Sequence, residues 1–522
     1  MSAPDDARAS DGPVRENRTA PGRSDNGRPG SAGPSRFHAA PVAWVPHGDR
    51  LVAVNQVRPG WAVLNRTAAW LVRHCEQSSD GRTRDQLTAA FRDRFGEAAP
   101  EEMDEWLGHL EGSGLLARTV DGARPEFPGL EPPPYDDYRV EHVYFELLAR
   151  CNLRCVHCFM EGAPEREEIL EPDEVARLLE ELRAAGGRYV TLAGGEPLIY
   201  PAFDDTVRKV AELGFHGTVV SNGTLIKQRH FELLRDCDFN LAISLDGVTP
   251  EVNKAIRGKG TAKALAALDR ALEVLGPERV ILSFTPVKAN ICDLPRLFEF
   301  VEDKGIRRLN LSLYEEVGRA HHYPHLLSLT EEDRVRIMEI VYENALRLIG
   351  RVEVDFNDTR EILTVFRCDR QPHQLHPLWR GVRLTSSGDV YPSSFGSCGE
   401  YHLGNVRERP LAEILRSPVL ADLYETLFDR YERTPRCQEC VWRHICRGGS
   451  VTSAYYATGQ LFAPDSYCEG YKKMYPEVLV RLSKMSSASR EVELETPAPE
   501  GAETATRAEV QDASNAYAAE GH

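Results

Sequence analysis

Apolar residues recur along this chain at two periods, and the changes of period divide it into blocks. In VAWVPHG (42–48) and RLVAVNQV (50–57) they alternate, which predicts two short strands. In AAWLVRHCEQ (68–77), RDQLTAAFRDRF (84–95) and EEMDEWLGHLEGSGLLA (101–117) they recur at three and four, which predicts three helices. Small strands followed by three helices indicate a winged-helix-like domain over residues 37–122. No basic recognition helix stands out in it, which weakens a DNA-binding reading. The proline-rich EFPGLEPPPYDDY (126–138) makes residues 123–138 a linker.

From 139 to 358 strand and helix alternate. HVYFELLARCN (142–152), YVTLAGG (189–195), GTVVSNG (217–223), LAISLDG (241–247), RVILSFTPV (279–287) and RRLNLSLY (307–314) read as strands. PDEVARLLEELRAAG (172–186) is a helix opened by Pro172, with Val175, Leu178, Leu179 and Leu182 on one face. Six β–α units with short loops define an α/β fold, a parallel sheet curled into a partial (β/α)6, TIM-like barrel. Sites in such barrels gather where the strands end. Residues 359–482 form a cysteine-rich block of loops, with few long apolar helices and six of the chain's twelve cysteines. A small domain of this kind often needs a metal to hold it. The polar tails, 1–36 and 483–522, lack the apolar side chains to offset their ordering entropy and are expected to be disordered.

A formal charge of −17 argues against nucleic acid or an anionic membrane as partner. No apolar run approaches a membrane span, and the N-terminus has no hydrophobic signal core. A cytoplasmic location follows as the expectation. Cysteines grouped in such a compartment read as metal ligands rather than disulfides.

CNLRCVHC places Cys151, Cys155 and Cys158 in a loop after the first barrel strand. Three thiolates so spaced can hold three irons of a cubane four-iron cluster, leaving the fourth iron open. Zinc would ask for a fourth nearby ligand. His157 is adjacent but is expected to point away from the metal. Cys437, Cys440 and Cys446 (CQECVWRHIC), with Cys468 (DSYCEGY), supply four thiolates, enough to close a second cluster or a structural zinc site. Cys75, Cys237 and Cys292 read as ordinary buried thiols.

These motifs resemble the radical S-adenosylmethionine (SAM) enzymes. CNLRCVHC is similar to that family's Cx3CxxC signature, and AGGEP (193–197) to its GGEP segment. The resemblance implies a [4Fe–4S] cluster on Cys151, Cys155 and Cys158. It implies SAM held near Gly194, Gly195, Glu196 and Pro197, with Glu196 at the methionine ammonium. Ser221 and Asn222 (SNGT), and Ser244 and Asp246 (SLDG), resemble the segments that approach SAM, and Arg257 an arginine near its carboxylate. The second cysteine group resembles the auxiliary-cluster part of a SPASM or twitch-like extension. Two positions that would hold cysteines of a further cluster are Ser393 and Ser450 here, while Cys368 and Cys398 remain nearby. One auxiliary [4Fe–4S] cluster is therefore expected.

LVAVNQVRPGWAVLNRTAAWLV (51–72) and the closing LEGSGLLA look like the small peptide-chaperone (PqqD-like) domain, which binds a leader peptide as an added strand. The resemblance then implies a maturase of a ribosomally made precursor peptide, with a flavodoxin- or ferredoxin-type electron donor. The C-terminal region is also similar to the heme-pathway branch, so a decarboxylase or modifying enzyme of a porphyrin or small molecule stands as the alternative. A non-catalytic iron–sulfur sensor is a third. The family's chemistry singles out no acid or base, though Tyr314, Glu315 and Glu316 follow a strand.

Overall fold

The computed structural model describes residues 35–96, 100–120, 140–356, 380–392 and 399–485, single positions at 125, 127 and 135, and Glu491–Val492. Cys368, Ser393 and Cys398 lie outside these residues, as do most of the expected tails and linker.

The described residues of the N-terminal domain contain six strands, not two: β1 (Arg36–Ala39), β2 (Val42–His47), β3 (Arg50–Asn55), β4 (Trp61–Leu64), β5 (Arg82–Thr83) and β6 (Leu116–Thr119). They form two sheets, β5–β1–β6 and an antiparallel β2–β3–β4, whose β4 edge is joined by Glu491–Val492. WAVL was too short to declare a period before the helix that follows. The last helical pattern ends early, because Gly114 adopts a left-handed φ of 76° and Leu116 starts β6. The three expected helices are present as α1 (Arg66–Glu76), α2 (Arg84–Phe95) and α3 (Pro100–Gly112). Asn65 caps α1 by accepting from Ala68 N–H at 2.8 Å, and Thr83 with Gln86 forms a capping box on α2.

Strands β7 (His142–Glu146), β8 (Tyr189–Ala193), β9 (His216–Ser221), β10 (Asn240–Ser244), β11 (Val280–Phe284) and β12 (Arg308–Leu311) are the six expected, all parallel to their neighbours. The sheet then extends at both ends. β13 (Glu353–Phe356) adds beyond β12, and β14 (Gly381–Leu384) lies parallel to β7, followed by antiparallel β15 (Asp389–Pro392) and β16 (Gly404–Asn405). The cysteine-rich block therefore continues the barrel sheet.

Helices α4 (Pro172–Ala184), α5 (Phe203–Glu212), α6 (Gln228–Asp236), α7 (Pro250–Arg257), α8 (Thr261–Leu275), α9 (Leu294–Asp303) and α10 (Glu331–Arg347) cover the outer face. Val175, Leu178, Leu179 and Leu182 of α4 are all buried, as their spacing predicts. In the C-terminal block, α11 (Pro418–Phe428), α12 (Val451–Thr458) and the 18-residue α13 (Cys468–Met485) replace the loops expected from composition. One continuous apolar core runs from the barrel through Leu420, Trp442 and Leu479 to Val52, Val54, Trp61 and Val63 of the N-terminal sheet. The intervening Ala53, Ala62 and Leu64 face α1–α3 in a second core. That sheet is buried on both faces.

Candidate active site

The loop after β7 returns on itself through bridges between Leu148 and Ile169 and between Arg150 and Ala163. It presents Cys151, Cys155 and Cys158 as free thiols. Leu153 N–H points to Cys151 Sγ at 3.5 Å, and Gly162 N–H to Cys158 Sγ at 3.3 Å. Burial pushes the Cys151 thiol up to about 12 and Cys155 to about 11, so unligated they stay protonated. A metal that takes these sulfurs displaces those protons.

The GGEP segment lies against this loop. Gly195 N–H donates to the Leu148 carbonyl at 2.7 Å and Glu196 N–H to the Arg150 carbonyl at 3.0 Å. A Cβ at Gly195 would overlap the Arg150 carbonyl, and one at Gly194, whose φ is 121°, the Leu148 carbonyl. The two glycines thus allow backbone-on-backbone contact. The Glu196 carboxylate has no solvent exposure and accepts from Ser221 Oγ (2.8 Å), Asn222 N–H (2.9 Å) and Leu198 N–H (3.3 Å). Burial raises its pKa to about 7 against these donors. Pro197 is buried at the start of a single 3₁₀ turn. Asn222 Nδ2 in turn reaches Asn152 Oδ1 at 2.9 Å and lies 3.9 Å from Cys151 Sγ. Cys151, Gly194, Gly195, Glu196, Ser221 and Asn222 are brought together.

Asp246 and Arg257 face each other and meet the loop at His157. Arg257 Nε is 2.5 Å from the fully buried Asp246 Oδ2, and His157 Nε2 is 3.2 Å from the same oxygen. His157 therefore turns inward to a carboxylate, its Nδ1 buried and without a hydrogen bond. Although burial opposes its ionisation, Arg257 and His157 hold Asp246 well below the usual carboxylate range. Ser244 ends β10, two residues away and half-buried.

Two neighbours escaped sequence reasoning. Arg319 donates to the Cys155 carbonyl at 3.0 Å and the Gly162 carbonyl at 2.9 Å, and its backbone N–H to the Cys158 carbonyl at 3.1 Å. Gly318, with φ 57°, lets that 3₁₀ turn pass close to the Cys158 and Phe159 carbonyls. The buried ion pair Glu146–Arg383 joins β7 to β14, with the Arg383 guanidinium 4.3 Å from the Phe159 ring centre. Nothing in the local pattern signals either, because both depend on segments distant in sequence. Glu315 falls in the same stretch as Arg319. Burial, with Asp465 nearby, raises its pKa to about 8 despite Arg334.

Cys437, Cys440, Cys446 and Cys468 line one small pocket, together with Trp442 and Tyr475. All four are free thiols, and Cys468 is the first residue of α13. Ser450 is the N-cap of α12, accepting from Ser453 N–H, and has no part in the cavity. Among the described residues, no His, Cys, Asp or Glu side chains converge as a single metal ion would require. Cys75 is buried as expected, Cys237 is half-buried at the end of α6, and Cys292 is exposed in a short 3₁₀ turn, contrary to its apolar surroundings in sequence. No described helix is long and apolar enough to cross a membrane.

A parallel α/β barrel whose strand ends carry a three-cysteine loop is thus joined to a pocket lined by four further cysteines. The chain matches the radical SAM superfamily over residues 145–301 and the SPASM iron–sulfur cluster-binding domain over residues 377–441. It is a radical SAM enzyme with a SPASM domain. Its cofactors are accordingly a [4Fe–4S] cluster with SAM, and auxiliary iron–sulfur chemistry in the SPASM domain.

Among its relatives, Fe-coproporphyrin III synthase of Methanosarcina barkeri is 28% identical over 358 residues, 62% of this chain and 87% of that protein. The antilisterial bacteriocin subtilosin biosynthesis protein AlbA of Bacillus subtilis is 23% identical over 394 residues, 74% of this chain and 83% of that protein. In structure, anSMEcpe with bound AdoMet superposes with a TM-score of 0.56 at 17% identity, covering 67% of this chain and all of that one. SuiB of Streptococcus suis, bound to its precursor peptide SuiA, superposes at 0.51 and 16% identity, covering 82% of this chain and all of that one. These likenesses to solved structures are likenesses of fold.

Proposed function

We propose that this enzyme modifies a ribosomally made precursor peptide whose leader docks on the N-terminal domain. Cys151, Cys155 and Cys158 hold the SAM-binding cluster, and Cys437, Cys440, Cys446 and Cys468 one auxiliary cluster. When bound, the cluster and SAM supply a 5′-deoxyadenosyl radical that removes a hydrogen atom from the substrate. The chain's own part is to hold and shield that site. Arg319 and the two glycines brace the cysteine loop, and Glu196 fixes the turn at Asn222. Asp246 orients Arg257 and His157. The segments expected to meet SAM thus contact the loop at two points, Asn222 at Asn152 and Asp246 at His157.

The observation that carries the peptide reading is a groove on the N-terminal domain. It runs between α2, α3 and the strand pair β1–β6, with Phe37 and Leu107 as its apolar floor and Arg84, Asp104 and Arg118 at its rim. Among the described residues β6 pairs only with β1 in its sheet. An extended peptide added there would find backbone partners beside a helix. The extent of the likenesses supports this reading. Residues 140–485 are about two thirds of the chain, and both AlbA, named for bacteriocin biosynthesis, and SuiB align over more than that. Fe-coproporphyrin III synthase aligns over less, and its name is what favours the alternative, a porphyrin substrate.

The test uses the full-length, cluster-loaded chain to capture small molecules and peptides from extracts of its own cells, read by mass spectrometry. The expected result is one short precursor peptide whose addition raises 5′-deoxyadenosine formation. Retention of a porphyrin that does so instead would overturn the peptide reading.

A further inference from the structure

The turn after β3 leaves the N-terminal domain and meets the loop between two of the SPASM cysteines. Gln56 Nε2 donates to the Val441 carbonyl at 2.9 Å. The Gln56 carbonyl accepts from His444 Nε2 at 2.7 Å and from Arg443 Nη2 at 3.0 Å. Val441, Arg443 and His444 all stand between Cys440 and Cys446, so three of the five residues in that loop are held by one residue of another domain.

Gln56 is itself fixed. Its N–H donates to the Pro41 carbonyl at 2.8 Å, and its Nε2 also reaches the Val54 carbonyl at 3.2 Å. The preceding Asn55 is fully buried. Its Oδ1 accepts from Val57 N–H at 2.8 Å, and its Nδ2 donates to the Gly114 carbonyl at 2.7 Å. Gly114 lies between α3 and β6, the elements that border the groove. A string of short hydrogen bonds thus runs from Gly114 through Asn55 and Gln56 to the cysteine loop. On the far side of the loop, the His444 ring packs edge-on to Tyr431 and Trp442 to Tyr475, which also lines the cysteine cavity.

We propose that Gln56 is a positioning residue of the auxiliary cluster, through which the N-terminal domain sets the geometry of the Cys440–Cys446 loop. The inference rests on the assignment of that cluster to Cys437, Cys440, Cys446 and Cys468. The partners of a ligand loop orient its sulfurs and tune a cluster's potential and spectrum. Gln56 does this from a domain that carries no cysteine of the cluster.

The experiment uses the full chain with Cys151, Cys155 and Cys158 all changed to Ala, so that only the auxiliary cluster remains. Into this background go Gln56→Ala, Gln56→Glu and, from the loop side, Arg443→Met. Iron content, the EPR spectrum of the reduced cluster and its midpoint potential are read on chains with native circular dichroism. The expected result is a shifted potential and altered g values in the Gln56 variants, reproduced by Arg443→Met, with loss of iron from a folded chain counting the same way. Unchanged potential and g values in all three variants overturn the proposal. Cys440→Ala in the same background separates the premise: if it leaves iron and spectrum intact, the cluster is not on these cysteines.

Discussion

The two cysteine groups differ in what surrounds them. Cys151, Cys155 and Cys158 come from eight consecutive residues, braced by the ends of parallel strands and by Arg319, and supply three sulfurs. Cys437, Cys440, Cys446 and Cys468 come from a loop and the first residue of a long helix, around a pocket lined by four sulfurs. A missing ligand leaves an iron able to bind a reactant, whereas a full set leaves none. Under the proposed ligand sets, the barrel site would leave an iron open to a reactant and the SPASM site would not.

That contrast is broken most directly at the ligands. Cys155→Ala is expected to reduce SAM cleavage to background and to remove one cluster's worth of iron. Cys440→Ala should remove a similar amount of iron while leaving reductive SAM cleavage in place. Iron analysis and chromatographic assay of 5′-deoxyadenosine read both. A Cys155→Ala chain that cleaves SAM at the parent rate would refute the site assignment.

A smaller effect separates the braces from the ligands. Gly195→Ala drives a methyl group into the Arg150 backbone, and overpacking of this kind costs about 1–3 kcal/mol. Denaturant unfolding should show that loss together with weakened iron retention at the barrel site alone. Selective loss of auxiliary iron would contradict it.

The smallest expected effect concerns Glu315, near the junction of the two regions. Burial raises its pKa from an ordinary 4.5 to about 8, so the folded chain binds a proton there that the unfolded chain has released. Stability from this group falls as pH rises from about 4.5 to 8, because the folded state holds more protons over that window. Glu315→Gln should lessen that slope, so that the variant gains in melting temperature over the parent chain at pH 9 relative to pH 6. Parallel melting curves across that range would exclude a raised pKa.

Much of this was legible in sequence, for physical reasons. The six barrel strands announce themselves by apolar runs between helical periods, and the cysteine loop and GGEP by spacing. What stayed hidden depends on distant partners. β13 and β14 are four-residue strands made strands by their neighbours, β12 and β7. His157 looked idle because its partner, Asp246, is 89 positions away. The donors that reach Glu196 from Ser221 and Asn222 lie 25 and 26 positions away. The C-terminal block looked weakly apolar because its side chains complete the barrel's core instead of making their own.

The N-terminal sheet, with one face in that shared core and the other against α1–α3, cannot swing on a tether. A groove so seated lies at a constant separation from the barrel mouth, since hinging it would uncover Val52, Val54, Trp61 and Val63. For a peptide anchored by its leader, constant separation becomes a ruler. Under the proposed function, the residue that arrives over the cluster would be chosen by how many residues of slack lie between leader and target. Lengthening that spacer should move the modification along the peptide by the number of residues inserted, whatever side chain then occupies the site.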